Sequence, residues 1–158
     1  MADVAAVAEP EKPETPMDRA ERFATAFRRN ANRLAMAYGG PVYLVGSMLT
    51  SLKPGDVDIR IMLTREDLVL WFGEDFDSHK DPIEWSPAQW NLEREQLKQS
   101  RRQSKRWRGY PARRFDIQFQ CSLMSDTDGL PIENPSRGPR LRLDTTPLDY
   151  FRAGWSNP

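Results

Sequence analysis

The sequence predicts an α/β fold, a small mixed β-sheet with helices packed mainly against one face. Three observations lead there. Short β-branched and aromatic runs stand at 42–45, 57–63 and 115–123, each bounded by glycine, proline or a polar residue. The stretches 16–38, 64–72 and 86–107 carry helix-start signals or apolar residues at helical spacing. The second and third strand runs alternate apolar and polar, which gives each one side for a core and one side for something else.

In chain order, residues 1–15 are rich in Ala, Glu and Pro and read as a disordered leader. Thr15 is placed as a helix N-cap, with Pro16 at the first helical position and Asp18 in the first turn. Phe23, Ala26, Phe27, Leu34 and Ala37 recur at helical spacing, and Gly39 and Gly40 end the helix. Val42 to Val45 reads as a buried strand. Gly46 and Ser47 form a turn, Met48 to Leu52 a short helix, and Pro54 and Gly55 a break. Val57 to Leu63 is the second strand, and Thr64 caps a helix reaching about Phe72. The acidic segment 73–84, GEDFDSHKDPIE, reads as a loop. Ser86 and Pro87 open a long helix to about Trp107, stopped by Gly109 and Pro111. Phe115 to Leu123 is the third strand. From Ser125 the chain shows no period and is expected to be irregular, with Leu141 to Leu143 and the cluster Tyr150, Phe151 and Trp155 able to dock on the core.

The length of 158 residues predicts one domain, laid out as a leader (1–15), a domain (16–124) and a C-terminal segment (125–158). Formal net charge is zero, so electrostatic arguments rest on local patches. One cysteine, Cys121, excludes an internal disulfide and a CxxC metal site and fits a reducing compartment. No apolar run has the length of a membrane helix, and the N-terminus lacks signal-peptide features. The expectation is a cytoplasmic protein.

The stretch YLVGSMLTSLKPGDVDIRIML, residues 43–63, carries the chemistry. On the second strand Asp56, Asp58 and Arg60 share one face, and Val57, Ile59, Ile61 and Leu63 the other. On the third, Asp116, Gln118 and Gln120 oppose Ile117, Phe119 and Cys121. If these strands pair, three carboxylates converge on the polar side. Such a cluster is costly unless a cation sits among them. Mg²⁺ suits oxygen ligands and commonly bridges carboxylates to substrate phosphates, and two ions roughly 4 Å apart clamp both oxygens of a phosphoryl displacement. Gly46 lets the backbone approach a phosphate, and Ser47 with nearby N–H groups can hold its oxygens.

These motifs, VGS, then GDVDIRI, then RRFDIQF, resemble the active site of the DNA polymerase β-like nucleotidyltransferase superfamily over roughly residues 41–123. The local match is to the palm of the family X polymerases. The resemblance implies that Gly46 and Ser47 bind nucleotide phosphates. It implies that Asp56 and Asp58 hold two Mg²⁺ (or Mn²⁺) ions. Asp116 would complete the metal site and help deprotonate an acceptor hydroxyl. The implied function is Mg²⁺-dependent transfer of a nucleoside monophosphate from an NTP such as ATP to RNA, a protein or a small molecule. The chain departs from the pattern in lacking an Arg after the Gly-Ser turn, where Lys53 is the nearest substitute. It also has no thumb and no helix-hairpin-helix motif. It looks like a minimal nucleotidyltransferase domain. The alternative is an inactive relative acting as an antitoxin-like or nucleic-acid-binding partner.

Between Gln96 and Phe115 no acidic residue occurs. Arg94, Lys98, Arg101 and Lys105 share one helical face, and with Trp107 and Tyr110 they suit nucleic-acid phosphate and base, or simply a solvated helix end where cations favour the dipole. Arg113 and Arg114 precede Asp116 and, with Arg60, are candidate phosphate or nucleic-acid contacts. His79 is expected to be solvated, Trp71, Trp85 and Trp90 to be core or interface anchors, and Cys121 to be buried.

Overall fold

The computed structural model describes residues 13–77, 81–121 and 139–155. Residues 1–12 of the leader, His79, and Ser122 to Leu123 of the expected third strand lie outside these residues. Helix α1 (Pro16–Tyr38) begins with a capping box: Thr15 Oγ1 accepts from the Asp18 N–H, and the Asp18 carboxylate accepts from the Thr15 N–H. Its apolar stripe, Ala20, Phe23, Ala24, Phe27, Ala31, Leu34, Ala35 and Tyr38, is buried, because a 3.6-residue period puts these positions on one side. Gly39 ends it at φ +91° with its N–H on Ala35 O.

Four strands follow: β1 (Val42–Val45), β2 (Asp56–Leu63), β3 (Arg114–Cys121) and β4 (Leu141–Arg142). Their order is β3-β2-β1-β4. β1 runs antiparallel to β2 and β4, whereas β2 and β3 are parallel. A parallel pair needs a crossover, which α2 (Arg65–Phe72) and α3 (Pro87–Trp107) supply. Thr64 and Ser86 cap these helices as the sequence predicts. The sheet buries Val42, Leu44, Val57, Ile59, Ile61, Phe115, Ile117 and Phe119 against α1 and its neighbours. Trp107 belongs to this core, with its ring 5.6 Å from Phe23 and 5.8 Å from Phe27. That removes it from the base-stacking role considered above, whereas Tyr110 is exposed.

Helix α3 buries a polar face, including Gln99 and Gln103, for a reason visible at the edge strand. Gln96 Oε1, Ser100 Oγ and Ser104 Oγ accept from the N–H groups of Phe119, Ile117 and Phe115, each at 2.9 Å. Four helical residues rise about 6.0 Å and two strand residues about 6.6 Å, so the two ladders stay nearly in step. The helix thereby satisfies donors that an open edge leaves exposed.

Three expectations change. The segment after 125 is not uniformly irregular, since β4 pairs with β1 and α4 (Leu148–Trp155) follows. A two-residue strand is too short to show a period. It is held by Leu143 N–H on Val42 O, 2.8 Å, and by the buried Asp144 carboxylate. That carboxylate accepts from Arg142 Nε and Nη2 at 2.6 and 2.9 Å and from Val42 N–H at 3.0 Å. Cys121 is exposed, not buried, because it ends the edge strand. The short helix expected at Met48–Leu52 starts earlier, as a 3₁₀ turn over Gly46–Leu49. Among the described residues no helix is long and apolar enough to cross a membrane.

Candidate functional site

Register decides which polar side chains meet. On the parallel pair, Asp58 lies opposite Asp116 and Asp56 opposite Arg114. The two central aspartates stand close enough for the charge of Asp116 to act on Asp58. Burial pushes the Asp58 carboxyl above the usual carboxylate range, Arg60 offsets part of this, and Asp116 and Asp56 add to the rise. Gln118 Nε2 donates to both Asp116 oxygens, at 3.4 and 3.2 Å. Asp56 pairs with the residue opposite it: Arg114 donates to it through Nε at 2.8 Å and Nη2 at 3.4 Å. The sequence brings three carboxylates together, but the structure joins two and ties the third to an arginine. Among the described residues no group of three acidic, His or Cys side chains stands in a ligating arrangement.

The Gly-Ser turn closes on Asp58. Gly46 has φ +76°, and a Cβ there would collide with Asp58 Oδ2. Only glycine satisfies both the left-handed backbone and that approach. The turn continues through Ser47, whose carbonyl accepts from Thr50 N–H at 3.2 Å and Ser51 N–H at 2.8 Å. Lys53 is exposed beyond it, with its N–H on Ser51 Oγ. Arg60 is half-buried beside Asp58 and donates to Ile59 O at 3.1 Å. Arg113 is exposed, and its side chain makes no ion pair among the described residues.

Arg19 of α1 is a residue the sequence did not single out. Its Nη1 donates to Leu52 O at 2.5 Å, and its Nη2 donates to Ser51 O and to Met48 O, the latter at 3.3 Å. One guanidinium thus fixes three carbonyls of the turn from below. Nothing in the spacing distinguishes it from the other arginines of the helix, because the contact spans about thirty residues of chain. Arg19→Met keeps the aliphatic stem and removes the donors. It is expected to lower stability by about 2–3 kcal/mol, the scale of hydrogen bonds to a charged group, as read by urea unfolding.

A cleft of about 470 Å³ opens between α3 and β3, next to the carboxylates. Asp116 and Arg114 line it from the strand, and Glu93, Leu97, Ser100 and Arg101 from the helix. Comparison with family models, curated proteins and solved structures finds no match.

Proposed function

We propose that the chain is a nucleotidyltransferase that moves a nucleoside monophosphate from an NTP to an acceptor hydroxyl with Mg²⁺ (two ions, or Mn²⁺). The reading is carried by one observation: the parallel register sets Asp58 against Asp116 beneath a glycine turn that touches Asp58. Two neighbouring carboxylates, one with its charged form disfavoured by burial, are stabilised by a cation between them. An all-oxygen donor set fits Mg²⁺, with Asp58 and Asp116 as ligands and Asp56 joining them. When bound, the metal supplies charge stabilisation to the phosphoryl oxygens.

The chain's own residues do the rest. The Gly46–Ser47 turn admits a phosphate close to the backbone and offers the Ser47 hydroxyl. Asp116 lines the α3–β3 cleft and in this reading accepts the acceptor's proton. Arg114 holds Asp56 through an exposed ion pair, its side chain 71% exposed. Pairs of that kind contribute about 0–1 kcal/mol, too little to keep Asp56 from a divalent cation. Arg60 and Lys53 are the cations nearest in sequence to the triphosphate's expected position.

A second reading, binding of a partner without turnover, takes its support from the same Arg114–Asp56 pair. Calorimetric titration of each NTP, with and without Mg²⁺, tests the first. Mg²⁺-dependent binding that is lost in the double variant Asp56→Asn/Asp58→Asn is expected. Absence of binding by any NTP moves the assignment to the second reading.

A further inference from the structure

The acceptor side of the site has a surface of its own. Arg94, Lys98, Arg101 and Lys105 lie on one exposed face of α3, pointing away from the core that Gln99 and Gln103 enter. Among the described residues none of the four makes an ion pair. Four unspent cations on one helix face repel each other, and an anionic ligand laid along that face relieves the repulsion. Arg101 belongs to two features at once: it stands in this stripe and it lines the cleft that contains Asp116. Leu97, 43% exposed, adds an apolar wall to the same cleft.

We infer that the stripe and the cleft together bind a single nucleic-acid strand, and that its terminal hydroxyl is the acceptor presented to Asp116. The inference rests on the nucleotidyltransferase reading for the chemistry and on the α3 surface for the strand. Successive phosphates lie along Arg94, Lys98, Arg101 and Lys105. The terminal nucleoside turns into the cleft, with its sugar or base against Leu97. A cleft of about 470 Å³ takes a ligand of drug-like size, which is one unpaired nucleoside and not a base pair. Of the four charged side chains lining the cleft, Arg101 and Arg114 are the ones that draw in the terminal phosphate, while Glu93 and Asp116 are acidic. The transfer balances simply. The acceptor oxygen forms a bond to the α-phosphorus, the bond from that phosphorus to the bridging oxygen breaks, the acceptor proton passes to Asp116, and pyrophosphate leaves.

The test is fluorescence anisotropy of the full chain with a short fluorescein-labelled oligouridine, and with the same strand annealed to its complement. The single strand is expected to bind more tightly than the duplex. The logarithm of its affinity is expected to fall with the logarithm of salt at a slope of about −3, the value for four phosphates on a single strand. The variant carrying Arg94→Gln, Lys98→Gln, Arg101→Gln and Lys105→Gln together is expected to lose at least about tenfold in affinity at low salt. Its circular dichroism should match wild type, since the four side chains are exposed. Mg²⁺–NTP calorimetry on wild type and on this variant separates the two ideas. Wild type that binds Mg²⁺–NTP but not the strand overturns the strand inference and leaves the reaction standing. Wild type that binds the strand but no Mg²⁺–NTP removes the reaction and, with it, the acceptor role. Strand binding unchanged in the four-fold variant, or tighter binding of duplex, overturns the proposed surface.

Discussion

Asp58→Asn is expected to abolish Mg²⁺-dependent nucleotide transfer while leaving the protein folded and more stable without metal. The two effects have one cause. Asp58 sits half-buried against Asp116, and burial and neighbouring charge raise its pKa. A carboxyl whose folded pKa is raised above the unfolded value of about 3.9 contributes stability that is complete below that value and lost as pH rises through the folded pKa. Above its folded pKa the ionised group therefore destabilises the fold, and Asn removes that cost. The variant's gain in unfolding temperature is expected at neutral pH and should vanish below about pH 4, read by thermal unfolding in chelator. Mg²⁺ with NTP should raise the wild-type unfolding temperature and leave the variant unmoved. Loss of a metal ligand removes several kcal/mol of transition-state stabilisation, about a thousandfold in rate or more. Transfer that persists in Asp58→Asn would remove this carboxylate from the mechanism.

Gly46→Ala is the second large effect, and it acts through backbone and site together. The residue holds φ +76°, and the added methyl would meet the Asp58 carboxylate. A non-glycine residue held in the left-handed region costs about 1–3 kcal/mol, and moving Asp58 to relieve the collision displaces it from Asp116. Stability is expected to fall by that amount. NTP affinity should fall further than in Arg19→Met, which loosens the turn without touching the carboxylates. Chemical denaturation and calorimetry on the same two variants check the ordering. Equal losses of affinity would mean that the turn acts as one unit and that Gly46 has no separate contact with the site.

Much of this was legible in the chain because local signals and tertiary contacts agree. Thr15, Thr64 and Ser86 cap their helices through short-range hydrogen bonds. Strand alternation sorted Asp56 and Asp58 from Val57 and Ile59, as the burial of β2 bears out. What the sequence did not carry depends on register and on distance along the chain. Alternation places Asp56 and Asp58 on one face but says nothing of the side chain opposite each, and it is the β2–β3 register that gives Asp58 an aspartate and Asp56 an arginine. Arg19 reaches a turn some thirty residues away. The Gln96, Ser100 and Ser104 ladder hides in a polar helix with no apolar stripe to announce its inner face. β4 is two residues long, and its anchor is Asp144, whose burial against Arg142 no local pattern reveals.

The central claim is that the Asp58–Asp116 pair beneath Gly46 is a metal and nucleotide site. Anomalous diffraction from crystals grown with Mn²⁺ and a non-hydrolysable NTP tests it most directly. The expected result is an anomalous peak within bonding distance of both Asp58 and Asp116, with the nucleotide's phosphates against the 46–47 turn and Asp56 released from Arg114. Bound nucleotide or manganese elsewhere, with neither Asp58 nor Asp116 on the ion, would contradict the claim.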